Sequence, residues 1–354
     1  MRYGYWLPVF GGWLRNVEDE GMDASWEYAE RLARRSEELG FDLTLIAELF
    51  LNDIKEPDAP ALDAWSTAAA LAAVTRTLEL MVAVRPTFHP PAVLAKQAAN
   101  IDRISGGRLS LNLVASWWEE EARKYGAEFD RHDERYDRAA EWLRVVDGMW
   151  SEERFSLSGE YFDVEDAILE PKPASEPRPT VYAGGESEAG KEMITSLCDA
   201  YVMHGDPPGR VRRKIDDMRR RREEKGLEPM RYGVSGFAVV RETEEEAREE
   251  LRRITGAGDD LSYHSFQDWI DGTHLEQDLS PEDYAVSNRG LHSGLVGTPE
   301  QVARRIDEFE EAGVDLLLLQ FSPQLEEMER FSETVMRLRG DADAADASGP
   351  ASAA

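Results

Sequence analysis

Short apolar runs alternate along this chain with longer stretches in which apolar residues recur every three or four positions. Arg2 to Pro8 reads as an aromatic-rich first strand, followed by a loop that holds Gly11-Gly12-Trp13. Asp23 is the expected cap of a helix that places Tyr28, Ala29, Leu32, Ser36 and Leu39 on one side and stops at Gly40. Phe41 to Ala47 is a short buried strand, and the acidic loop from Glu48 to Pro60 leaves it. Leu62 to Ala73 is an Ala-rich helix and Leu78 to Val84 the third strand. Pro90-Pro91 opens a helix striped by Leu94, Ala98 and Ile101, which ends at Ser105-Gly106-Gly107 and feeds a fourth strand, Leu109 to Val114. An aromatic, polar loop, Ser116 to Glu121, follows. A helix is then expected from Glu134 to Trp150.

The second half repeats the alternation. Phe155 to Pro179 has the punctuation of a small hairpin, and Thr180 to Ala183, Ala200 to Met203, Tyr232 to Val240 and Val314 to Phe321 bring the strands to eight. Helices are expected after Ser187, Pro208, Thr243 and Thr298, with a last one reaching Leu338. Eight strands alternating with helices predict an α/β fold, the (β/α)8 TIM barrel, with its chemistry at the strands' C-terminal ends. The expected organisation is one barrel domain over 1–339, interrupted at about 256–294 by a weakly periodic lid after strand seven. A disordered acidic, Ala-rich tail is expected over 340–354.

Composition narrows the function. With 71 acidic against 41 basic side chains the formal charge is −30, which excludes a nucleic-acid partner because nothing offsets phosphate repulsion over most of the surface. No apolar run approaches the roughly 20 residues that span a bilayer. The start also lacks the apolar core of a secretory signal, so a cytoplasmic protein is expected. Acidic runs such as Glu244-Glu245-Glu246 suit adaptation to high salt and an ordinary acidic surface equally. Cys198, the only cysteine, reads as a buried packing residue. The six histidines show no metal-ligand spacing, so no metal site is expected.

Two helix starts carry anion chemistry. Gly184-Gly185-Glu186-Ser187 joins strand five to a helix, where free amides and the Ser187 hydroxyl suit a phosphate; a capped tight turn explains the same residues. Glu186 sits awkwardly for a dianion, and its side chain must turn away. Arg135-Tyr136, just after His132-Asp133, offers a charge and a hydroxyl at another helix start, and the pair of sites points to a phosphorylated cofactor. Asn112 is polar within an apolar strand, so it meets either a bound ring or a partner in the core. Trp117-Trp118 either wall a cavity or cover the barrel mouth. At least two of Glu119, Glu120 and Glu121 are expected to be solvated. His89 and His204 follow strands three and six, within reach of the mouth.

From Ser105-Gly106-Gly107-Arg108 through Asn112 and Trp117 to Glu134-Arg135-Tyr136, the chain resembles the bacterial luciferase-like flavin monooxygenases, nearest their alkanesulfonate and dimethyl sulfone branch. Val84-Arg85-Pro86, Ala95-Lys96-Gln97, Tyr182 to Ser187 and Leu295 to Pro299 match as well, so the likeness runs from Tyr3 to about Leu338. The resemblance implies a two-component enzyme that takes FMN as FMNH2 from a separate NAD(P)H-dependent flavin reductase. O2 then adds at the flavin C4a, and a small organosulfur substrate, an alkanesulfonate or dimethyl sulfone, is oxygenated with C–S cleavage. It also implies a homodimer or homotetramer. By position, Asn112 and Glu121 would touch the ring or ribityl chain, His132, Arg135 and Tyr136 the ribityl-phosphate region, and Gly184, Gly185 and Ser187 the phosphate. Arg85, Trp117 and Arg289 would be the catalytic residues.

Ser235 and Phe237 stand where the sulfonate enzymes carry an Arg and a His, which looks more like the sulfone branch. Val84-Arg85-Pro86 looks more like the sulfonate branch. Two rivals share the fold: an F420-dependent oxidoreductase that transfers hydride, and a flavin-free barrel acting as a binding protein or lyase.

Overall fold

Apolar runs become strands wherever both faces can be buried, as the strands of a parallel sheet require. In the computed structural model, which describes residues 1–256 and 285–340, these are β1 (Arg2–Trp6), β2 (Leu43–Ile46), β3 (Glu79–Val84) and β4 (Leu109–Leu113). An antiparallel hairpin of β5 (Phe155–Ser158) and β6 (Asp163–Ala167) follows, then β7 (Thr180–Ala183), β8 (Ala200–Met203) and β9 (Arg231–Phe237). Two short strands, β10 (Val239–Val240) and β11 (Val296–Gly297), precede β12 (Leu316–Gln320). Eight strands close a parallel barrel in the order β1-β12-β9-β8-β7-β4-β3-β2, and the expected TIM barrel is what forms. The register Asn112 opposite Ala83 and Tyr182 fixes where the polar residue of β4 emerges.

Helices alternate with the strands: α1 (Trp26–Glu38), α2 (Ala64–Val74), α3 (Pro91–Ser105), α4 (Glu119–Lys124) and α5 (His132–Ser151), then α6 (Glu188–Leu197), α7 (Pro208–Glu224) and α8 (Glu244–Thr255). The outer ring ends with α9 (Pro299–Ala312) and α10 (Gln324–Phe331). Local chemistry sets their ends. Asp63 caps α2 by accepting from the Ser66 amide at 2.7 Å, and α9 opens on a Thr298/Gln301 capping box and closes on Gly313, whose φ of +98° a side chain would resist.

Several boundaries depart from expectation. Ser25, not Asp23, caps α1, accepting from the Tyr28 amide. The run Glu119–Lys124 is a short helix rather than loop, since three acidic residues favour a helix N-terminus and two basic ones its end. His132 and Asp133 belong to α5, not to the loop before it. The seventh strand breaks at Ala238, where the backbone leaves the barrel and pairs instead with β11. Of the expected lid, residues 257–284 lie outside the described residues, as does 341–354 of the expected tail. The end of that insertion is described: Val286 bridges to Leu14, and Ser287–Ser293 is a 3-10 segment. Cys198 ends α6 fully buried against Met193, at 4.0 Å between sulfurs.

Candidate active site

A cavity of about 260 Å³ opens at the C-terminal ends of the barrel strands. Its strand-borne lining is Trp6, Leu45, Ala83 and Asn112 from β1 to β4, Val202 and Met203 from β8, and Ser235 from β9. Loops add Phe10, Trp13, Glu48 and Ile54, together with Trp117, which stacks on Trp118 at 5.5 Å with the rings nearly parallel. The floor is therefore apolar and aromatic, with isolated polar groups, as pockets for organic ligands generally are. Asn112 is one of those groups.

One corner gathers a glycine turn, a helix start and a buried cation. The turn between β7 and α6 brings Gly184, Gly185, Glu186 and Ser187 to the cavity, and Ser187 caps α6 by accepting from the Gly190 amide at 3.1 Å. The first-turn amides of a helix have no helical partner and carry its partial positive charge. His132, Arg135 and Tyr136, three and four residues apart on α5, face the same turn from one side of their helix. The Tyr136 hydroxyl hydrogen-bonds Ser187, and burial pushes its pKa up. A Cβ on Gly185 would lie 3.2 Å from that hydroxyl and one on Gly190 3.1 Å from the ring, so a side chain at either position would make Tyr136 give way by a few tenths of an ångström. His132 packs edge-on against Tyr136 at 5.4 Å and places Nδ1 2.7 Å from Asp133 Oδ1.

Arg135 carries the distinctive electrostatics. It is only 7% exposed, and Nη1 donates to the Ser116 carbonyl at 2.5 Å, a residue held at φ +47°. Its guanidinium lies 4.6 Å over the Phe129 ring. Nε is buried with no hydrogen-bond partner, and among the described residues no carboxylate pairs with it. Desolvation accordingly lowers its pKa. A buried cation left so is costly until an anion arrives.

The opposite wall treats its cation differently. Arg85 is 2% exposed, ion-paired with Glu121, 3.5 Å from Glu48, and set between the Phe88 and Phe50 rings at 4.4 and 5.1 Å. Glu48 also accepts from the Arg85 amide at 2.9 Å and contacts His89 Nε2 at 2.6 Å. Arg85 and Glu48 line the cavity. Glu121, expected at the cofactor, does not: it is fully buried and accepts from the amides of Phe50 and Leu51 at 2.6 and 3.3 Å, so its carboxylate orders the β2 loop. Glu119 and Glu120 are exposed, as expected of two of the three.

Arg289 is also absent from the lining. It is 1% exposed, in the left-handed region at φ +52°, and ion-paired with Glu186 behind the glycine turn. The Glu186 carboxylate thus turns away from the helix start. Burial would raise its pKa, but His204 in its protonated form, then Lys214 and Arg289, hold it down at about 2. His204 lines the cavity beside this cluster and is itself pushed down to about 4, chiefly by desolvation.

The aromatic wall of Trp6, Phe10 and Trp13 was not singled out from sequence as part of the site. Neither was the pair of Arg15 with Asp53, 3.6 Å apart at the rim. Trp6 ends β1 and the others stand in the first two strand-to-helix loops, and that placement was the available signal. No cluster of three or more metal-ligating side chains occurs among the described residues, and none of the described helices is long and apolar enough to cross a membrane.

Residues 1–316 match the family model described as luciferase-like monooxygenase. An FMNH2-dependent dimethylsulfone monooxygenase of Pseudomonas putida is 31% identical over 347 residues, covering 96% of this chain and 95% of the relative. Among solved structures, the long-chain alkane monooxygenase LadA superposes with a TM-score of 0.82 at 20% identity, over 99% of this chain and 96% of that one. An F420-dependent secondary alcohol dehydrogenase gives 0.71 at 20% identity, over 94% and 97%. At such identities these two structures speak to the fold alone.

Proposed function

Since the chain belongs to the luciferase-like monooxygenase family, an enzyme family, we propose that it is the oxygenase of a two-component system that takes reduced FMN from a separate NAD(P)H-dependent reductase and O2 as co-substrate. The substrate is a small organosulfur compound, of the sulfone or sulfonate class, cleaved oxidatively at its C–S bond. The assembly is a homodimer or homotetramer. The observation that carries this reading is the pairing of an uncompensated buried Arg135 with an open glycine turn at the start of α6, an anion socket beside an aromatic cavity.

The residues present fit such a cofactor. Arg135 and the first amides of α6 would neutralise the phosphate, while Tyr136, Ser187, Gly184 and Gly185 shape its seat and His132 borders the ribityl chain. Asn112, whose strand neighbours are apolar, would supply a hydrogen bond to the ring, and Trp117 with Trp6 would shield it from water. Bound reduced FMN supplies the electrons that activate dioxygen. Arg85, its charge balanced by Glu121 and Glu48, offers the substrate a polar wall without a net positive charge. Glu121 and Arg289 act from behind the wall, holding Arg85 and the glycine turn in place.

Anaerobic titration with reduced FMN, oxidised FMN and F420 tests the proposal. Reduced FMN is expected to bind tightest. Preference for F420 would move the protein to hydride transfer, and no affinity for either cofactor would leave a flavin-free barrel.

A further inference from the structure

Glu186 occupies the one position in the turn where a carboxylate opposes the ligand, between Gly185 and the helix-capping Ser187. It lines the cavity, and its Oε2 is buried without a hydrogen-bond partner. Its Oε1 is drawn the other way, paired with Lys214 Nζ from α7 and with Arg289 Nη2. Lys214 also contacts Asp206 Oδ2 at 2.7 Å, and Arg289 lies 3.7 Å from the same oxygen. All four side chains are at most 9% exposed. Arg210, more exposed, reaches the other Asp206 oxygen at 3.8 Å, so Asp206 has a cation of its own and Glu186 depends on Lys214 and Arg289; without Lys214 only Arg289 answers Glu186, a few ångströms behind a phosphate seat.

We propose that Lys214, which lies outside the cavity wall, is a positioning residue for phosphate binding: it holds the Glu186 carboxylate back from the Gly185–Ser187 turn, so that the turn presents only amides and hydroxyls to the anion. The proposal rests on the nucleotide reading above. It concerns Lys214 acting through Glu186, not a contact with the cofactor. A lysine doing no more than fasten α7 to α6 would disturb binding of the ring and of the phosphate alike. A lysine that cancels Glu186 disturbs the phosphate alone, and is dispensable once Glu186 is neutral.

Anaerobic titrations of reduced FMN and of reduced riboflavin, which lacks the phosphate, separate these cases in the full-length protein, its Lys214→Met and Glu186→Gln variants and the double variant. Lys214→Met is expected to weaken FMN binding about tenfold or more, from one unscreened charge at close range, while riboflavin binding holds within about threefold. The double variant recovers FMN affinity to within about threefold of the parent. Lys214→Met binding FMN as the parent does, equal losses for FMN and riboflavin, or a double variant as weak as Lys214→Met would each overturn the proposal. If Lys214→Met does not fold, Glu186→Gln decides: tighter FMN binding with unchanged riboflavin binding supports it, and weaker or unchanged FMN binding refutes it. A parent protein that binds no reduced FMN removes the nucleotide reading and this inference together, whereas a parent that binds while the variants fail the pattern removes the inference alone.

Discussion

At the scale of single residues, the site is organised by how each buried charge is answered. Arg85 meets two carboxylates, Arg289 meets two, and Arg135 meets a carbonyl and a ring face. Breaking a buried pair costs about 3–5 kcal/mol because the partner is left charged, whereas deleting an unpaired charge relieves a cost. Arg135→Ala is therefore expected to leave the melting temperature of the ligand-free protein unchanged or higher while weakening reduced FMN binding by about tenfold or more. Calorimetry and titration of the same preparation check both halves. A large fall in stability would mean that the guanidinium is satisfied in a way these contacts do not include.

Polar residues that interrupt an apolar pattern were legible in the sequence. Asn112, Arg135 and Ser187 lie where the alternation of strands and helices places them, at the mouth. Which of the many charges are buried was not legible. Lys214 sits in a helix that also carries Arg210, Arg212, Arg213, Arg219, Arg220, Arg221 and Arg222, and only tertiary packing selects which of them meets Glu186. Glu121 likewise looks like its neighbours Glu119 and Glu120 until α4 forms and points the third of them at Arg85.

Among elements, α5 does most to join fold and site. Its first turns supply His132, Arg135 and Tyr136, its middle hydrogen-bonds the β3 loop through Trp142 Nε1 and the His89 carbonyl at 2.7 Å, and its Glu141 clamps the β5–β6 hairpin. The Glu141 carboxylate accepts from the amides of Glu160, Tyr161 and Phe162 at 2.9, 2.8 and 2.6 Å. Burial acts to raise its pKa, but these three amides outweigh it and hold the group below the usual carboxylate range. A depressed carboxylate contributes stability above its unfolded value and loses it as pH falls through the folded one. The clamp therefore holds at neutral pH and weakens only in acid. Glu141→Ala is expected to cost on the order of 1–2 kcal/mol at pH 7 and to speed hydrogen exchange at residues 160–162. The parent and variant should converge in stability as the pH falls through the depressed folded-state pKa. Exchange at 160–162 that is unaffected by the substitution would show that the hairpin is held by something else. The hairpin itself was foreseeable from its Gly and Pro punctuation; the carboxylate beneath it was not, because the two are joined only once α5 folds back.

For the whole molecule, a formal charge of −30 makes self-repulsion a standing cost of compactness. Exposed ion pairs such as Arg34 with Glu30 and Arg248 with Glu244 return little of it. The screening length falls from about 30 Å at 0.01 M salt to about 3 Å at 1 M. The melting temperature is thus expected to climb with sodium chloride over that range, with the steepest gain at the low end. A flat or falling curve would mean that the acidic residues are balanced locally rather than repelling at a distance. The barrel was legible at this scale because eight strands need only periodicity to be counted. The break in the seventh strand was not, since β10 and β11 pair with each other outside the barrel and leave no periodic signal in two residues each.

The placement of the one cysteine gives this protein a built-in clock. Cys198 closes the same short helix whose other end forms the anion seat, and its thiol is sealed and pushed up in pKa by burial. A thiol-reactive dye can reach it only during moments when that segment comes loose, so the labelling rate reports the opening frequency of the very piece of chain proposed to meet the nucleotide. Saturating reduced FMN should slow the labelling in proportion to its occupancy, with no engineered tag and no second sulfhydryl to confuse the trace.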